Sequence, residues 1–146
     1  IKGFKFALGV PQQLNHLNPL TQPTPLNQPD MFWTWQSGYK YARIELANKA
    51  NEWIFHLGAT GCQSPSPVRA PKSACLNPNR GEIILDNFSP DKEIEIDLFS
   101  LLDGVDMVEL DSCQSSQDNL LCQVLFPKVG ISSSANAQQV LFKVSE

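Results

Sequence analysis

The stretch "YKYARIELANKANEWIFHL", residues 39–57, carries two runs of strict alternation around one polar break. In the first run Tyr39, Tyr41, Arg43 and Glu45 fall on one side. Lys40, Ala42, Ile44 and Leu46 fall on the other. In the second run Trp53, Phe55 and Leu57 share a face, and Ile54 and His56 share the opposite one. A period of two is the signature of a strand with one face on a core. "NKAN" between the runs is rich in turn formers. The stretch predicts two neighbouring antiparallel strands joined at residues 47–51.

Upstream, "MFWTWQSG" (31–38) begins a strand in which Trp33 and Trp35 share a face, with Ser37-Gly38 permitting a bulge or bend. It follows a segment with five prolines between residues 11 and 30, too irregular for helix or strand. Long segments of this kind in compact domains are functional or disordered. Leu14, Leu17, Leu20 and Leu26 favour an ordered loop lying on the core. Before it, Phe4, Phe6, Leu8 and Val10 alternate as in a half-buried strand. The chain thus opens inside a pattern, as a processed product or a piece of something longer would.

Downstream, "EIILD" (82–86) and "EIEIDL" (93–98) read as strands around the turn "NFSPDK". A short helix is expected from Leu98 with Asp97 as its N-cap. A second is expected in "QDNLLCQVLFP", with Leu120, Leu121, Val124 and Leu125 at helical spacing. "QQVLFKV" closes the chain as a strand with Val140, Phe142 and Val144 on one face. The expected architecture is mostly β, an antiparallel sandwich or partly open barrel with one or two short helices and long disulfide-pinned loops. The 146 residues form one domain, residues 1–146, with a real core.

A net charge of −4 with 18% charged residues gives nucleic acid no electrostatic footprint. The apolar runs are too short for a membrane span. Cys62, Cys75, Cys113 and Cys122 contain no C-x-x-C pair, which argues against a zinc ribbon or thioredoxin-type site. An even count in loop-rich surroundings suits two disulfides and a location outside the cytosol. Three connectivities are possible. Pairing Cys62 with Cys75 and Cys113 with Cys122 is preferred, because each pair brackets a short polar loop. The alternative is four free buried thiols.

Motifs for nucleophile elbows, P-loops, zincins and EF-hands are absent, and the carboxylates Asp91, Glu93, Glu95 and Asp97 read as the wet face of a strand. Nothing asks for an enzyme. His16, in the proline-rich loop, and His56, on a strand, are the only histidines. The plainest reading gives each one structural hydrogen bond. Two imidazoles are too few for a typical zinc site, but suffice for Cu(I), with the Met31 sulfur able to assist.

The segment from Gly9 to Leu46, with "FHLGATGC" (55–62), "CLNPNR" (75–80) and "LDNFSP" (85–90), resembles the MbnP-like proteins. These are the four-cysteine "metallo-mystery pair" family found beside MauG-like dihaem partners, akin to the copper-repressible surface proteins of methanotrophs. The resemblance spans residues 3 to about 100, and the family domain is longer at its N-terminus. It implies a secreted, cell-surface or periplasmic copper-binding protein for copper acquisition or storage. It implies a Cu(I) site built on His16 and His56, with a kynurenine made from Trp33, Trp35 or Trp53 by the MauG-like dihaem partner. The competing reading is a carbohydrate- or partner-binding β-sandwich with the tryptophans and tyrosines as an exposed aromatic platform.

Overall fold

The computed structural model describes residues 2–132 and 138–146. The expected hairpin forms its centre. Strands β3 (Gly38–Ala47) and β4 (Glu52–Gly58) pair antiparallel with Ile44 opposite Phe55, Arg43 opposite His56 and Ala47 opposite Glu52. Asn48 closes the turn, its side-chain oxygen accepting from the amides of Ala50 and Asn51. A tight reversal at residues 35–37 brings β2 (Phe32–Thr34) against β3, and β7 (Ser112–Cys113) adds in parallel beside β4. The order in this mixed sheet is β2-β3-β4-β7.

Two small antiparallel ladders complete the architecture: β1 (Phe4–Leu8) with β5 (Gly81–Leu85), and β6 (Ile94–Ile96) with β8 (Phe142–Val144). Thus the strands before and after "NFSPDK" both exist but do not pair with each other. Each finds a partner from a chain terminus. The ladders and the sheet leave no closed barrel among the described residues, and the fold is mostly β and sandwich-like.

The inward face of β4 makes the core. Trp53, Phe55 and Leu57 are buried against Leu101 of α2 (Leu98–Leu102) and against Leu121, Leu125 and Phe126 of α3 (Leu120–Lys128). Burying each such side chain contributes about 1.5–3 kcal/mol. Asp97 caps α2 as expected, accepting from the Ser100 amide at 2.9 Å. On α3 the buried face is Leu121, Cys122, Leu125 and Phe126, while Leu120 and Val124 are exposed. The disulfide from Cys122 to Cys113 fixes that rotation, one position away from the face expected from leucines alone.

The proline-rich segment is ordered, but not by its leucines. Leu14, Leu17 and Leu20 stand exposed, whereas Asn15, His16 and Pro19 are buried. Asn15 sits at the end of α1 (Gln12–Asn15), and its Oδ1 accepts from the Tyr39 amide at 2.9 Å. Gly38 allows that approach, since a Cβ there would collide with Asn15 and its φ is +78°. The Tyr39 hydroxyl donates in turn to the Leu26 carbonyl. The loop therefore covers Tyr39, which lies beyond the register shift between Lys40 and Ala42 and so leaves the side of Arg43 and Glu45.

Candidate metal centre

The outward face of the hairpin carries a short electrostatic chain. Arg43 donates twice to Glu45, at 2.7 and 2.9 Å, and Glu45 Oε1 lies 2.6 Å from His56 Nε2. Register explains the contact: His56 faces Arg43 across the strands, so Glu45 is its diagonal neighbour. Arg43 foremost, and then His56, hold the Glu45 carboxyl at a pKa of about 2. A carboxylate only accepts, so the ring's Nε2 carries the hydrogen. In the neutral ring the lone pair then sits on Nδ1, which is buried and has no hydrogen-bond partner.

Trp33 is the aromatic neighbour of this imidazole, with ring centroids 6.3 Å apart and planes at 53°. The indole lies across Gly58, where a Cβ would strike its six-membered ring. Trp33 also lines a cleft of about 490 Å³ with Thr34, Gln36, Thr60, Cys62 and Gln114. Trp35 does not share that face. It falls in the reversal after β2, past the register slip between Phe32 and Thr34, and packs edge-on against Phe32 at 5.6 Å. Phe32 in turn packs edge-on against Tyr39. These rings interlock by their edges and do not form a flat platform. Trp53 is 2% exposed within the core. Met31 ends a short turn, Pro29–Met31, and lines a separate depression with Val10, Leu26, Tyr39 and Tyr41.

His16 has a different set of neighbours. Its Nδ1 lies 3.1 Å from the Trp35 carbonyl, and Asn15 Nδ2 and Cys75 Sγ stand 3.4 and 3.6 Å from its Nε2. The carbonyl fixes the Nδ1–H tautomer, so Nε2 accepts from the Asn15 side-chain amide, with the Cys75 sulfur beside it. Burial lowers the pKa of this ring, and the bond to the Trp35 carbonyl opposes that only in part. The hydrogen-bond partners of His16 are thus Trp35 and Asn15, and that of His56 is Glu45.

All four cysteines are paired, Cys62 with Cys75 and Cys113 with Cys122. His16, Cys62 and Cys75 offer ligand atoms within 4.8 Å of one another. In the disulfide form those sulfurs are not thiolates, and a thiolate is the form that binds metal. Glu45, Asn15 and Gly58 escaped the sequence reading. The signal for Glu45 was present in the hairpin register, which sets it diagonal to His56; the closeness of Trp33 that requires Gly58 has no sequence mark.

These features define a disulfide-stapled, mostly β protein whose histidines are presented beside tryptophan and cystine. The chain belongs to the MbnP family, whose model matches residues 1–115. Its structure is similar to that of MbnP from Methylosinus trichosporium, with a TM-score of 0.80 and 27% identity. That match covers 98% of this chain and 62% of the other, so the chain spans less than two thirds of its relative's length. A search of curated proteins finds no match.

Proposed function

We propose that the protein binds copper as Cu(I), for acquisition or storage and without turnover, with His56 as the anchoring ligand and the side chain at position 33 beside it. The observation that carries this reading is the buried, unpartnered Nδ1 of His56. A carboxylate on the far nitrogen of a ligating imidazole orients the ring and raises its basicity. Glu45 stands in that role, itself held by Arg43. A single neutral imidazole is a donor that Cu(I) accepts, and a soft d10 ion tolerates few ligands. A kynurenine at position 33 would add an amine and a ketone where tryptophan has only an N–H donor. Making it requires an outside oxidant, for which a MauG-like dihaem protein is the partner we infer.

His56 is taken as the anchor because its Nδ1 is the histidine nitrogen left without a partner, whereas both ring nitrogens of His16 have one. Two disulfides support a place outside the reducing cytosol, at the cell surface or in the periplasm. No helix among the described residues is long and apolar enough to cross a membrane. The test is Cu(I) titration against a competing chromophoric chelator. His56→Ala should lose tight binding with the fold intact. Stoichiometric, equally tight copper in that variant overturns the assignment.

A further inference from the structure

The proposed copper site leaves the cluster of His16 with the Cys62–Cys75 disulfide without a role, and its geometry is more specific than a staple needs. Cys75 is 5% exposed and lies 3.6 Å from His16 Nε2, whose lone pair otherwise takes only the long 3.4 Å bond from Asn15 Nδ2. Cys62 is partly exposed and lines two adjoining open clefts of about 490 and 670 Å³. One sulfur is thus reachable from solvent, and the other faces a ligand nitrogen. The second disulfide has neither property: Cys113 and Cys122 are both fully buried.

We propose that His16, Cys62 and Cys75 form a redox-gated site for a soft monovalent d10 cation, Cu(I) or Ag(I), closed in the disulfide form and opened by a dithiol reductant. The opening step balances as thiol–disulfide exchange. A thiolate of the reductant attacks Cys62 Sγ, and the S–S bond breaks with its electron pair leaving on Cys75 Sγ. The reductant's second thiolate then displaces Cys62 Sγ from the mixed disulfide. The dithiol becomes a disulfide, and two electrons and two protons pass to the protein as two thiols. The cation displaces those protons to solvent.

The donors stay together when the S–S bond is gone, because other bonds hold each of them. Thr60 and Asn77 exchange two backbone hydrogen bonds, at 2.9 and 3.0 Å, and the Leu76 amide donates to the Gly61 carbonyl at 3.0 Å. Gln36 Nε2 donates to the Cys62 carbonyl at 3.0 Å. His16 is held by the Trp35 carbonyl and flanked by Asn15, which is tied to Tyr39. With metal–sulfur and metal–nitrogen bonds near 2.3 and 2.0 Å, a trigonal centre sets nitrogen and sulfur about 3.7 Å apart. The present 3.6 Å to Cys75 matches that need, the Cys62 sulfur already lies within 4.8 Å of the other two ligand atoms, and the two sulfurs must separate. The group has three members, two sulfurs and one nitrogen, where zinc prefers four ligands.

The experiment treats the whole protein with dithiothreitol under anaerobic conditions and maps alkylated cysteines over time. Cys62 and Cys75 should label first, with Cys113 and Cys122 protected and the circular dichroism unchanged. After removal of the reductant, Cu(I) titration should give one equivalent with a thiolate-to-copper charge-transfer band, absent in the oxidised protein. His56→Ala should keep the band, which separates this site from the copper site proposed above. His16→Asn should weaken the band's midpoint by more than about tenfold, and X-ray absorption should lose its nitrogen shell. Cys62→Ser/Cys75→Ser should stay folded and show no band. Melting on reduction, simultaneous labelling of all four cysteines, or an unchanged band in His16→Asn overturns the proposal.

Discussion

His56 and Glu45 meet across the β3–β4 hairpin at 2.6 Å, and the contact leaves the other nitrogen of the imidazole buried and free of hydrogen bonds. The first prediction is that Glu45→Gln weakens Cu(I) binding by about 10–100-fold without unfolding the protein. The carboxylate lies on the outward face, so its loss disturbs no core packing. Chelator competition measures the affinity, and an unchanged value would show that the pair is only a surface contact.

The hairpin and its turn were legible in residues 39–57 because one face is buried and the other wet, which imposes the period of two. The cysteine pairing was legible because each pair brackets one short loop. The burial of Tyr39 was not. It depends on Asn15 reaching a backbone amide 24 residues away, a contact with no periodic signature. The partners of β5 and β6 were hidden for a similar reason: both come from chain ends distant in sequence. At the candidate site both histidines and Trp33 were readable as candidates. Which of them meet was not, since the slip between Phe32 and Thr34 turns Trp35 away from the face of Trp33.

Gly58→Ala is expected to destabilise the protein by about 1–3 kcal/mol. The added methyl would enter the ring of Trp33, on a strand whose other face packs the core. Urea denaturation gives the stability, and tryptophan emission reports the displaced indole. Wild-type stability with unaltered emission would mean that Trp33 does not rest on this glycine.

The two disulfides should differ in their contribution to stability. Replacing both Cys113 and Cys122 with Ala should cost about 2–5 kcal/mol, because this bridge lies within the core and orients α3. Replacing Cys62 and Cys75 with Ser should cost less, since that bridge borders open clefts and backbone bonds duplicate its closure. Thermal unfolding of the two variants, compared at equal concentration, decides the order; the reverse order refutes it.

Burial raises the Tyr41 phenol to a pKa of about 12, against an ordinary 10.0. Because the folded value is the higher one, its contribution to stability is complete below pH 10.0. It is lost as pH rises through about 12. Tyr41→Phe should flatten the alkaline limb of a stability-against-pH curve over that window. An identical limb in the variant would assign the alkaline loss to other groups.

Oxidation of a tryptophan by a separate haem protein needs a residue that electrons can leave through the surface, and one placed where its product can bind metal. Trp53 fails the first condition, being 2% exposed. Trp35 satisfies it, at 36% exposed, but its ring partner is Phe32. Trp33 meets both: it borders an open cleft and lies 6.3 Å from His56. With dioxygen or a peroxide as the oxidant at the dihaem partner, the indole C2–C3 bond breaks and each carbon takes one oxygen atom, and water then hydrolyses the resulting formamide, releasing formate to leave the aniline and ketone of kynurenine. Peptide mass spectrometry should find kynurenine at position 33 in protein from its native host. An intact Trp33 is expected in protein made where no dihaem partner exists, together with weaker copper binding. Native protein that keeps Trp33 intact and still binds copper as tightly would remove kynurenine from the site and leave His56 to be completed by other donors.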